Sequence, residues 1–186
     1  LDWGQDLPGL KRYLDERGWQ GRGHPPVYLA YFGTGHPPHY RIDAIPLFRF
    51  HEFLPDRYPV PLTGGVYCIS ATVLQAVYLH APGPWIRSHE QLYQLLSELM
   101  RMYEQDPAGR PALLERAASL LGQFGIGTWG DVFDLYEHVR LARLCAYLRQ
   151  REPDDQVGYS ILIYRLTDAD VDKALHGPPP FSRGRR

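Results

Sequence analysis

The stretch "VGYSILIYRL" (Val157 to Leu166) constrains the fold of this chain more than any other. Aliphatic, β-branched and aromatic residues with so few polar interruptions suit a central strand covered on both faces. Two shorter runs of the same kind lie upstream, "PVYLAYF" (Pro26 to Phe32) and "GGVYCIS" (Gly64 to Ser70). Strands separated by helical patterns predict an α/β fold: a small, mostly parallel sheet with flanking helices and an inserted block of about three helices.

The inserted block lies between the second and third runs. Ser88 and Gln91 have capping-box spacing ahead of an amphipathic pattern at Leu92, Leu95, Leu96, Leu99 and Met102. "DPAGRP" breaks it, and Leu113, Leu114, Ala117, Leu120, Leu121 and Phe124 mark a second helix closed by "GIG". Thr128 and Asp131 repeat the capping box before a third helix running to Leu148. The expected organisation is a first part of the α/β domain at 1–80, a helical insertion at 81–142, a return to the α/β domain at 143–175 and a disordered Pro-rich basic tail at 176–186.

Near the start, Asp6 can cap a helix with Pro8 in its first turn, Leu7, Leu10 and Leu14 on one face and Gly18 as its stop. A helix start so close to Leu1 gives the expectation that a strand preceded it and that Leu1 is a cut end. "ATVLQAVYL" (Ala71 to Leu79) reads as another helix start. The Pro- and aromatic-rich stretch from Ile45 to Leu62 reads as irregular.

Charge excludes some function classes. Twenty basic side chains stand against 21 acidic ones, so a broad nucleic-acid or anionic-membrane surface is not expected. No window approaches the ~18 consecutive apolar residues of a membrane span, and no signal stretch begins the chain; as given, it is expected to be soluble. Thirteen tyrosines and 17 prolines suit binding surfaces and shaped loops. Cys68 and Cys145 read as two separate buried thiols, with one disulfide between them as the alternative in an oxidising compartment.

In open α/β sheets, ligands bind outside the carboxyl ends of the strands. Three polar segments qualify: "DWGQD" after the presumed missing strand, "GTGHPPHY" after the next and "SAT" after the third. Parallel strands would bring them to one edge, so Asp2, Gln5, Tyr31, Ser70 and Thr72 are expected around one cleft. Trp3, Asp6 and Gln75 complete the candidate ligand-binding set. The alternative for the first segment is structural, with Asp6 capping, Asp2 helping the turn and Trp3 packing.

Other chemistry finds less support. His24, His36, His39 and His51, with Glu52, fit no familiar zinc spacing and read as exposed loop residues, so no metal site is expected. Ser70 and Ser160 lack the Gly-x-Ser-x-Gly elbow of a strand-to-helix nucleophile. "GTG" lacks the fuller phosphate-cradling pattern. Asp154 and Asp155 read as a solvated turn.

Four separated pieces, in order, resemble a known family. "LDWGQDLPGLKRYLDERG", "VYLAYFGTGHPPHYRI", "GVYCISATVLQAVYL" and "AYLRQREPDDQVGYSILIYRL" look like the soluble C-terminal region of bacterial multi-pass membrane glycosyltransferases related to dolichyl-phosphate-mannose–protein mannosyltransferases. Together they cover about half the chain. There are departures: His36 stands where that family usually has an aspartate, Ala76 where glycine is common, and the helical block is longer than the family's connection.

The resemblance implies a parent enzyme in the cell membrane, using a polyprenyl-phosphate-sugar donor, with this domain on the extracytoplasmic (periplasmic) side. The family's catalytic acids lie in an early loop of the membrane portion, so the resemblance implies no catalytic residue and no cofactor in this segment. Its partners would be the membrane portion of the same polypeptide and a sugar or glycan acceptor, with no nucleic acid. The rivals are an independent soluble enzyme with a polar site at Asp2, Asp6 and the neighbouring loops, and a protein-interaction module using the helical insertion.

Overall fold

The structure is a computed structural model that describes residues 5–48 and 58–181. Asp2, Trp3, His51, Glu52 and the end of the tail (182–186) lie outside the described residues. Five strands form one sheet in the order β2-β1-β3-β5-β4: β1 Val27–Ala30, β2 Ile45–Phe48, β3 Gly65–Ser70, β4 Asp155–Val157 and β5 Ile161–Leu166. The helices are α1 Leu7–Glu16, α2 Ala71–Leu74, α3 Arg87–Gln105, α4 Arg110–Leu120, α5 Trp129–Leu148 and α6 Asp168–His176. Among the described residues no helix is long and apolar enough to cross a membrane.

The sheet is α/β in class but not mostly parallel. β1 pairs in parallel with β2 and β3, whereas β5 runs antiparallel to both β3 and β4. The reason lies in the run that dominates the sequence. Val157 to Leu166 is not one strand but the end of β4, a turn and the whole of β5, because Gly158 adopts φ +57° and breaks the extended chain. Strands joined by a turn of three residues (158–160) can only be antiparallel. The stretch from Ile45 also departs from expectation. β2 forms despite Pro46 because it is an edge strand, where a missing donor is tolerated.

Alternation along β3 divides the core. Tyr67 and Ile69 face a large cluster with α2, α3, α5 and α6; Val66 and Cys68 face a smaller one built on Leu7, Leu10 and Leu14 of α1. This separates the cysteines. Cys145 lies in the large cluster and Cys68 in the small one, on opposite sides of the sheet, and both are buried free thiols rather than a disulfide.

Helix ends follow local chemistry unevenly. Thr128 and Asp131 form the expected reciprocal box at the start of α5, which runs unbroken across residue 142. Gly18, at φ +66°, ends α1 with Gly18 N–H bonded to Asp15 C=O and Trp19 N–H to Leu14 C=O, the Schellman pattern. By contrast α3 starts at Arg87 with Ile86 as its cap, so Ser88 lies inside the helix and caps nothing. A further box at Thr167 and Asp170 opens α6, which sequence reading passed over.

A buried ion pair locks the helical face. The Arg143 side chain on α5, fully buried, pairs with Glu90 on α3 (Nε to Oε2, 3.0 Å) and donates to the carbonyls of Ala174 and Gly177 at the end of α6. Trp85 and Gln94 donate to the same carboxylate, each at 2.8 Å. Burial alone would raise the Glu90 pKa, but hydrogen bonds from Arg143, Gln94 and Trp85 outweigh it and hold the carboxyl below its ordinary value.

Candidate functional site

The strand register puts four loops at one end of the sheet. Ala30 pairs with Ile69, Ser70 with Ile161 and Val157 with Ile161. The carboxyl ends of β1 and β3 therefore lie beside the turn joining β4 to β5. The start of α1 reaches the same place through Asp6.

Ser160 is the joint. Its hydroxyl donates to Asp6 Oδ2 at 2.7 Å, and its carbonyl accepts from the Ala71 N–H at 2.7 Å. The Tyr159 N–H also reaches Asp6 Oδ2, at 3.3 Å. Asp6 occupies the N-cap position of α1 but makes no capping bond. Its carboxylate instead holds the 158–160 turn, a charge-assisted contact stronger than a neutral hydrogen bond. That contact requires glycine at 158, since a Cβ there would overlap the Asp6 carboxylate.

The second and third loops are tied in the same manner. Ser70, buried at the end of β3, accepts from the Phe32 N–H at 3.1 Å instead of capping α2. α2 then stops after four residues, because Ala76 takes the left-handed conformation at φ +55°. The segment that follows carries Tyr78 onto Phe32, with ring centroids 4.5 Å apart and planes within 7°.

The predicted residues divide accordingly. Asp6 and Ser70 meet at this edge, with Gln5 exposed beside Asp6 and Thr72 half-buried in α2. Tyr31 is buried in the small cluster with the α1 leucines and is part of the core. Gln75 lines a different cavity of about 420 Å³, with Trp85, Gln150 and Arg149. Arg149 spans that cavity's wall, donating to the Leu74 carbonyl at 2.6 Å and the Gly83 carbonyl at 2.9 Å.

Sequence reading weighs Ser160 only as a nucleophile and leaves it and Tyr159 out of the binding set, placing both inside a single strand. Tyr159 is 97% exposed although its backbone is pinned to Asp6. The signal was a glycine directly before Tyr-Ser in an otherwise apolar run, the mark of a turn. Asp155 is the first residue of β4 and pairs with Arg17 at 3.0 Å; Asp154 accepts from the Arg165 N–H at 2.7 Å. Both therefore anchor structure as well as meeting solvent.

The edge is suited to binding more than to covalent chemistry. Asp6 and Ser160 bind each other across two loops, and Ser70 is committed to a backbone amide. Burial pushes both cysteine thiols up to about 12, so neither is a thiolate at neutral pH. What the edge presents is polar backbone, an exposed tyrosine and a half-exposed one stacked on Phe32. Compared with protein-family models, with curated proteins and with solved structures, the chain matches none.

Proposed function

We propose that this chain is a non-catalytic, extracytoplasmic accessory domain of a membrane glycosyltransferase that uses a polyprenyl-phosphate-sugar donor, and that the sheet edge around Ser160 recognises the sugar or its acceptor. One observation carries the reading. The four segments that resemble that family, far apart in sequence, are bonded to one another at this edge: Asp6 to Ser160, Ser160 to Ala71, and Phe32 to Ser70. Segments kept only for folding need not gather at one end of a sheet, where α/β domains place their ligands.

Two details add support. Ala76, where the family commonly has glycine, adopts the left-handed backbone that favours glycine. Tyr159 and Tyr78 offer flat apolar faces with polar tips, the combination that packs on a sugar ring while its hydroxyls stay hydrogen-bonded. The rival soluble enzyme is less well supported, because Asp6 serves as a tether between loops.

The test is an NMR titration of the isotopically labelled chain with monosaccharides and a short-chain polyprenyl-phosphate sugar. The expected result is a saturable shift of the Tyr159, Ser160 and Gln5 amides, weakened at least about tenfold in Tyr159→Ala, as loss of a stacking aromatic implies. Shifts confined to other regions would remove the recognition role. Turnover of the donor by this chain alone would make the independent enzyme the better reading.

A further inference from the structure

We propose that His80, Asp134 and His138 form a binding site for a divalent first-row metal ion such as Zn²⁺ or Co²⁺, separate from the sheet edge. Asp134 and His138 lie four residues apart on α5 and so share one helix face. His80 comes from the segment after α2 and brings its ring to 4.9 Å from that of His138, centroid to centroid. One donor atom from each of the three residues lies within 4.8 Å of the other two, and His138 Nε2 stands 3.8 Å from Asp134 Oδ1.

The donor set is chemically specific. Two imidazoles and one carboxylate suit borderline ions such as zinc, cobalt or nickel over calcium or magnesium, which prefer all-oxygen shells. Bonds of 2.0–2.2 Å to a tetrahedral ion would place the donors about 3.3 Å apart, so the three side chains must draw together by about an ångström. They have that freedom. His80 is exposed and the Asp134 side chain is 67% exposed, while the His138 side chain, 18% exposed, fixes the position. Three protein ligands leave a fourth position for water or a substrate atom.

The site was hidden in the sequence because His80 and His138 are far apart in the chain; only the Asp-x-x-x-His spacing on α5 was visible. The ion would tie the segment carrying Tyr78 to the long helix. Because the three ligands meet only in the folded chain, binding must stabilise the fold.

The experiment uses untagged, chelator-treated protein titrated with Co²⁺, read by its visible absorption, and with Zn²⁺, read by calorimetry and by the melting temperature. The expected result is one saturable equivalent per chain and a rise in Tm. His80→Ala and Asp134→Asn, whose side chains are exposed enough to change without harm to folding, should each weaken binding at least about tenfold and abolish the Tm rise. Three results would overturn the site: no stoichiometric binding at millimolar metal, binding unchanged in both variants, or binding that leaves Tm unmoved.

Discussion

One face of the sheet is buried under α2, α3, α5 and α6, the other under α1 with the turn at Pro37–Tyr40. The helical face is fastened by a fully buried arginine on α5 whose partners come from α3, α6 and the residue just beyond α6. The α1 face depends on three leucines and, at its open end, on one part-exposed carboxylate holding a turn. The helical face is held by a buried charge network, and the α1 end presents a polar edge, the one to which the proposed function assigns recognition.

Arg143→Met should break the helical face with the largest effect. It strips Glu90 of its counter-charge in the core and leaves the Ala174 and Gly177 carbonyls without their donor. Loss of one partner of a buried pair costs about 3–5 kcal/mol, measurable by urea unfolding. The pH dependence sharpens this. Glu90 titrates lower in the folded chain than in the unfolded one, so its contribution is fully present above the ordinary glutamate range of about 4.3. It is lost as pH falls through the lower folded value. Arg143→Met should flatten that acid limb, whereas a variant at the α1 end should leave it intact.

At the other end, Gly158→Ala should cost about 2 kcal/mol, from the left-handed backbone and from displacement of the Asp6 carboxylate. In the double variant Asp6→Ala/Gly158→Ala the overlap is gone, and the two effects should sum to less than their separate values. Full additivity would show that Asp6 and the turn are not coupled. Ser160→Ala is gentler, at about 1 kcal/mol for one hydrogen bond to a part-exposed carboxylate. Faster hydrogen exchange at the Tyr159 and Ala71 amides would locate the loss at this edge.

The same contrast governs what the sequence made legible. The helical face was readable because leucine periodicity and the Thr128–Asp131 box are local signals, and β3 was readable from its own residues. The sheet's hand-over from parallel to antiparallel pairing rested on one glycine inside an apolar run, and β2 was masked by Pro46. Asp6 was placed correctly at the start of α1, as a cap or a ligand-binding residue, but its partner lies 154 residues away, so its tethering role had no local signal. Cys68 and Cys145 read as separate thiols, as they are, but that the sheet lies between them is a fact of topology. Arg143 lay unnoticed because nothing local distinguishes a buried arginine from an exposed one.

Ala76 joins the two regions and gives the smallest predicted effect. Its left-handed backbone costs a non-glycine residue about 1–2 kcal/mol. Yet its methyl is fully buried in the large cluster, which contributes about 0.8 kcal/mol. Glycine would relieve the strain, lose that burial and add about 0.5–1 kcal/mol of unfolded-chain entropy. These nearly cancel, so Ala76→Gly should fall within about 0.5 kcal/mol of the parent by urea midpoint at unchanged slope. Ala76→Val should be far worse, because a β-branched residue resists this conformation and the position is fully buried, where added methyls risk overpacking. A gain of more than about 1 kcal/mol for glycine would mean that the methyl adds nothing to the core. The helical face would then reach less far towards the Asp6–Ser160 edge than its packing indicates, leaving the Ser160–Ala71 hydrogen bond and the Phe32–Tyr78 stack as joints between the two regions.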